Sequence, residues 1–72
     1  MNASNFLELQ MMVLENVSES QSLFEKELRK SFNWLGKDEL QRLYNWAKEK
    51  FNEKYSKLID CVYAGFGFQF FN

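Results

Sequence analysis

From Lys37 to Ala64 the chain runs without a glycine or a proline, and its apolar residues keep one rhythm throughout. Leu40, Tyr44, Ala47, Phe51, Tyr55, Leu58 and Val62 fall within an arc of about 80° when plotted at 100° per residue. This spacing predicts one helix over about 39–63, about 37 Å long at 1.5 Å per residue. Two shorter helices upstream cannot cover that length. Its far end is expected to project, to pair with a symmetry mate, or to be covered by the chain that follows it.

The upstream helices are read from caps and stripes. Asn5 stands three residues before Glu8, a capping-box spacing that opens a helix over about 5–17. Its apolar residues Leu9, Val13, Phe6, Val17, Leu14, Leu7 and Met11 cover well over half of the circumference, Met12 extends them, and only Glu8 and Glu15 mark a solvent side. Such a helix is expected to bury one side in its own bundle and the other against a second chain. Ser18 with Gln21 repeats the capping spacing, and Phe24, Leu28, Ser31 and Leu35 form the stripe of a helix over about 20–35. Gly36 suits the left-handed position after a helix end. Asp38 with Gln41 supplies the next cap, so "WLGKDEL" reads as the tight joint of a helical hairpin.

After residue 63 the period changes. Val62, Ala64, Phe66, Phe68 and Phe70 alternate with Tyr63, Gly65, Gly67 and Gln69, the pattern of an extended strand with one apolar face. The expected architecture is therefore an all-α, single three-helix domain, a helical hairpin plus a long C-terminal helix, with a short extended aromatic tail over 64–72. The tail is expected to pack back onto the bundle or onto a dimer mate, the alternative being strand addition to a partner's sheet edge.

A chain of 72 residues buries only about 60% of the surface its unfolded form exposes. Scaffolds this small usually rely on a disulfide, a metal or a partner subunit. Cys61 is the only cysteine and histidine is absent, so neither an internal disulfide nor a zinc site can be built. Self-association, as a homodimer, is the remaining staple. The lone thiol and the lack of any lysine or arginine before residue 25 argue against a secretory leader and for a reducing cytoplasmic setting. No apolar run approaches the roughly 18 residues of a membrane span.

Without an imidazole no Ser-His or Cys-His nucleophile pair exists. Glu49 and Glu53 share a helix face but alternate with Lys50, Lys54 and Lys57, which is the composition of a solvated surface. "GFG" at 65–67 lacks the lysine and the longer glycine pattern of a nucleotide loop. The sequence therefore predicts a protein that is not an enzyme and carries no cofactor.

Binding residues are read from apolar side chains that the three-helix core cannot use. Trp46 lies far from the centre of its helix's apolar arc, among Arg42, Glu49, Lys50 and Glu53, and Trp34 with Leu23 forms a second off-stripe patch. Together with Phe66, Phe68, Phe70 and Phe71 these are the candidate partner-binding residues of a homodimeric inhibitor or adaptor. The competing expectation is a small nucleic-acid-binding regulator. From Glu25 to Lys57 nine basic side chains face six acidic ones, and Lys26, Arg29, Lys30, Lys50, Lys54 and Lys57 are its candidate phosphate contacts. A helix-turn-helix reading fails because Phe32 and Arg42 stand where that motif needs a small residue and an apolar one. "SQSLF" at 20–24 resembles, in its last three residues, the Gln-Leu-Ser-Leu-Phe peptide with which bacterial proteins dock on the replication sliding clamp. Ser20 and Gln21 replace its leading pair, and Leu23 and Phe24 also read as core.

Overall fold

The computed structural model describes residues 4–69, and all regular structure among them is helical. Four helices follow in order: α1 (Ser4–Asn16), α2 (Gln21–Trp34), α3 (Lys37–Lys50) and α4 (Asn52–Gly65). The all-α class is as expected, but the predicted third helix is two helices, and the packed hairpins are α1–α2 and α3–α4 rather than the predicted α2–α3 joint at Gly36.

Asn5, expected as a cap, lies inside α1. Leu7 and Leu14 of α1 are buried, and Gln10 Nε2 donates to the Glu27 carbonyl oxygen of α2 at 2.7 Å. Ser18 does not open the next helix; its hydroxyl donates back to the Glu15 carbonyl oxygen at 2.9 Å and helps to close α1. Ser20 is the cap, with extended backbone and a side-chain oxygen that accepts from the Leu23 amide at 3.3 Å. A serine cap of this kind is worth about 1 kcal/mol. Along α2, Phe24, Leu28 and Ser31 are fully buried, and the Ser31 hydroxyl is satisfied by the Glu27 carbonyl oxygen at 3.2 Å.

Gly36 is not left-handed. Its φ of −77° and ψ of 177° make it the extended N-cap of α3, and its amide donates to Glu39 Oε1 at 3.2 Å. Asp38 falls one step inside the helix, where with Glu39 it complements the positive end of the helix dipole, as Lys48 and Lys50 complement the negative end.

The break between α3 and α4 falls at Phe51, whose φ of −113° and ψ of 32° leave the helical region, and Tyr55 is also non-helical at φ −127°, ψ 17°. The chain reverses there. The Tyr63 hydroxyl donates to the Leu40 carbonyl oxygen at 2.8 Å, and Tyr44 and Lys48 both reach Asp60, so α4 runs antiparallel to α3. Burial is the physical reason for the break. Leu43 and Tyr63 are both fully buried, yet on one uninterrupted helix they would point about 160° apart. Phe24 fills the corner, stacked on Tyr55 at 4.2 Å and edge-on to Phe51 at 5.0 Å.

The extended tail predicted from residue 64 is corrected as well. Helix α4 continues through Gly65 and ends in a Schellman turn. Gly67 takes φ 68°, its amide donates to Ala64, and the Phe68 amide donates to Tyr63 at 3.1 Å. The Phe68 ring meets Tyr63 edge-on at 5.2 Å, the apolar contact that accompanies this motif. Phe70 and Phe71 lie outside the described residues.

Candidate functional site

The predicted binding residues separate into three places. Trp46 is half-buried and lies edge-on to Phe51 at 5.7 Å, so the α3–α4 corner of its own chain covers much of it. Trp34 is the most exposed large apolar residue described, at 65%. It ends α2 beside the start of α1, where Phe6, Leu9, Gln10 and Trp34 line a hollow of about 210 Å³. Leu23 is also exposed, but it lies eleven residues earlier on α2, about 16 Å along the axis, and does not line that hollow.

Phe6, Leu9 and Met12 are each more than half exposed. They repeat every three residues along the side of α1 away from Leu7 and Leu14, and Val13 falls between Phe6 and Leu9 on the same side. Sequence reasoning found this surplus as a property of the helix without choosing its residues. The missing information was which side α2 and α3 would take.

Phe66 and Phe68 both turn towards α2. The Phe66 ring lies parallel to Phe32, 4.1 Å between centroids with 4° between planes, and Phe68 meets the same ring edge-on at 6.2 Å. Phe66 keeps 47% of its surface exposed and lines a groove of about 520 Å³ with Ser22, Glu25, Lys26, Arg29, Lys30 and Asn33.

The six candidate phosphate contacts do not share a face. Lys26, Arg29 and Lys30 border the α2 groove, while Lys50 pairs with Glu15 at 3.1 Å and Lys54 approaches Glu19 at 3.9 Å. Lys54 also sits over the Tyr55 ring at 5.4 Å, and Lys57 lines a separate hollow with Gln21 and Leu58. The folding back of α4 scatters them.

Titration behaviour is perturbed where α3 meets α4. Asp60 accepts from Lys48 Nζ and from the Tyr44 hydroxyl, each at 2.7 Å. The Lys48 bond, then the Tyr44 bond, hold its carboxyl below the usual carboxylate range, and the bond to Asp60 raises both donors. All three are surface groups that latch two helices together. Burial pushes the Tyr63 phenol well above its ordinary value.

Of the three residues that carry the clamp-peptide resemblance, only Ser22 and Leu23 are accessible. Phe24 is fully buried and Ser20 is engaged as a cap. Cys61 is exposed, and no three acidic, cysteine or histidine side chains converge among the described residues as a metal cluster would require. No described helix is long and apolar enough to cross a membrane. No family model matches this chain, and no curated protein or solved structure is significantly similar to it.

Proposed function

We propose that the protein is a non-catalytic interaction module that dimerises through the outer side of α1 and Trp34. The observation that carries this reading is the adjacency of Phe6, Leu9 and Trp34 around one hollow, each more than half exposed. Taking about 150–250 Å² for a whole aromatic side chain, Phe6 and Trp34 leave on the order of 100–150 Å² each uncovered. With Leu9 and Met12 the patch reaches a few hundred Å², the size that marks an interaction site on a small domain. A two-fold interface uses the same patch twice, which brings the total near the roughly 1,000 Å² lower bound for a specific contact.

Area and shape favour a second copy as the occupant, because the patch is apolar and the same residues meet themselves across a two-fold axis. The dimer then acts as a small inhibitor or adaptor that covers a working surface of a larger protein. That role is supported by the lack of imidazole and by the apolar surface in excess of the core.

Sedimentation velocity over a concentration series tests the dimer. Wild type is expected to shift from monomer to dimer, Leu9→Glu and Trp34→Ala to remain monomeric, and Leu23→Ala to behave as wild type. A wild-type chain that stays monomeric at high micromolar concentration removes the proposal.

A further inference from the structure

We infer that the groove along the outer side of α2 binds single-stranded nucleic acid, with a base stacked on Phe66 and phosphates held by Lys26, Arg29 and Lys30. This surface is separate from the α1–Trp34 patch and does not depend on dimerisation.

Three observations converge on that ligand. First, the groove is bordered by three cations on two successive turns of one helix and by a single acid, Glu25. Glu25 is engaged by Arg29, whose Nε and Nη2 donate to it at 3.1 and 2.8 Å. Lys30 contacts Glu27 only at 3.5 Å, and Lys26 makes no ion pair among the described residues. Exposed pairs of this kind are worth little, so the cations can exchange these carboxylates for phosphates.

Second, Phe66 is already the outer ring of a two-ring stack on Phe32. A base laid on its exposed side extends that stack to a third ring. Such a platform tolerates any base, because every base has a π-face. Schellman closure at Gly67 fixes the ring's position by tying the chain on either side of it.

Third, the groove is too long for one nucleotide. Ser22 and Asn33, both lining it, are separated by about 16 Å along the helix axis. A strand running along α2 meets Lys26 and then Lys30 one turn later, with the Ser22 hydroxyl and the Asn33 amide available at the two ends. A duplex offers phosphates but keeps its bases stacked inside. An acidic peptide offers charge but nothing that requires a stacked ring beside the lysines. A positive groove combined with an exposed aromatic platform is the arrangement that binds single strands without sequence preference.

The test is fluorescence anisotropy with labelled oligothymidylate of about ten nucleotides, titrated between about 50 and 200 mM salt. Three phosphate contacts predict a slope near −2 in log K against log salt, at about −0.7 for each contact on a single strand. Lys26→Glu with Lys30→Glu is expected to lower affinity at least tenfold. Phe66→Leu keeps an apolar cover on Phe32 but removes the stacking face; it is expected to cost about fivefold or more with the salt slope unchanged. Lys54→Glu with Lys57→Glu, on another face, is the control and stays within about twofold. Circular dichroism establishes that each variant is folded. The inference is overturned if wild type does not bind at the lowest salt or if the Lys26/Lys30 variant binds as tightly as wild type. It is equally overturned if a duplex, or an aspartate-rich peptide of equal charge, binds better than the single strand.

Discussion

The Tyr63 hydroxyl donates to the Leu40 carbonyl oxygen at 2.8 Å from a fully buried ring, joining the last turns of α4 to the first turns of α3. Replacing Tyr63 by phenylalanine leaves the ring contacts with Phe32, Tyr44 and Phe68 and removes the hydroxyl that makes this bond. The expected loss is about 0.5–1.5 kcal/mol, read from urea denaturation at neutral pH.

The same burial raises the Tyr63 phenol above its ordinary value of 10.0. A raised folded pKa means that the native state holds the proton where the unfolded chain has released it. Its stabilising contribution is therefore complete below pH 10 and is lost as the pH rises beyond it. Urea midpoints measured from about pH 8 to 11 should fall at the alkaline end, and more shallowly in Tyr63→Phe. Equal slopes in the two proteins would contradict the assignment.

Asp60 has the opposite sign. Its carboxyl is depressed below 3.8, so it stabilises the fold above that value and ceases to do so as acid protonates it in the native state. Because the side chain is half exposed, the effect of Asp60→Asn at neutral pH is about 0.5 kcal/mol. The variant and wild type should converge near pH 2. A difference independent of pH would show that the amide disturbs packing instead.

The three glycines are expected to rank differently as alanines. Gly67 holds φ 68°, where a side chain costs roughly 1–2 kcal/mol. Gly36 has ordinary extended backbone, and an added Cβ meets nothing within 4 Å. Gly36→Ala loses about 0.5–1 kcal/mol of capping preference. Gly65 is helical with open space around it, so Gly65→Ala gains up to about 1 kcal/mol. Thermal denaturation of the three variants gives the order directly, and a Gly67→Ala protein as stable as wild type would refute the left-handed turn.

Phe24 is the largest apolar side chain shared by α2 and the α3–α4 corner. Truncation to alanine removes its contacts with Phe51 and Tyr55 together and is expected to cost about 3–5 kcal/mol, enough to unfold so small a domain. Phe24→Leu should retain a cooperative transition at a lower midpoint.

Helical class, the Gln21–Trp34 and Ser4–Asn16 helices, and the surplus of apolar side chains were legible because caps and stripes are local signals. The break at Phe51 was not, since Leu40, Tyr44, Ala47, Phe51, Tyr55, Leu58 and Val62 fit one uninterrupted wheel. The contrary signal lay off that stripe: Leu43 on one flank, and Ile59 and Tyr63 on the other, cannot all enter one core from a straight helix. The glycines were exchanged for a similar reason. Gly36 and Gly67 are both compatible with a helix end, and only the chain's path decides which becomes left-handed. Alternation after residue 63 suggested a strand, but Val62 and Tyr63 are both buried, so adjacent residues enter the core and period two cannot hold. Of the site, Trp34 and the lysines of α2 were named from sequence. Their grouping with Phe6 and Leu9 on one side and with Phe66 on the other depends on contacts between helices.

Three bonds join the turn after α1 to the corner between α3 and α4: Lys50 to Glu15, Lys54 to Glu19, and the Tyr55 hydroxyl to the Ser18 carbonyl oxygen at 2.6 Å. Each hairpin closes a connection of only a few residues, and these bonds span the gap between the two hairpins. The contacts of largest sequence separation are thus gathered in the docking of one hairpin on the other. A chain with this connectivity is expected to fold rapidly in stopped-flow refolding, because most of its closure entropy is spent over short loops.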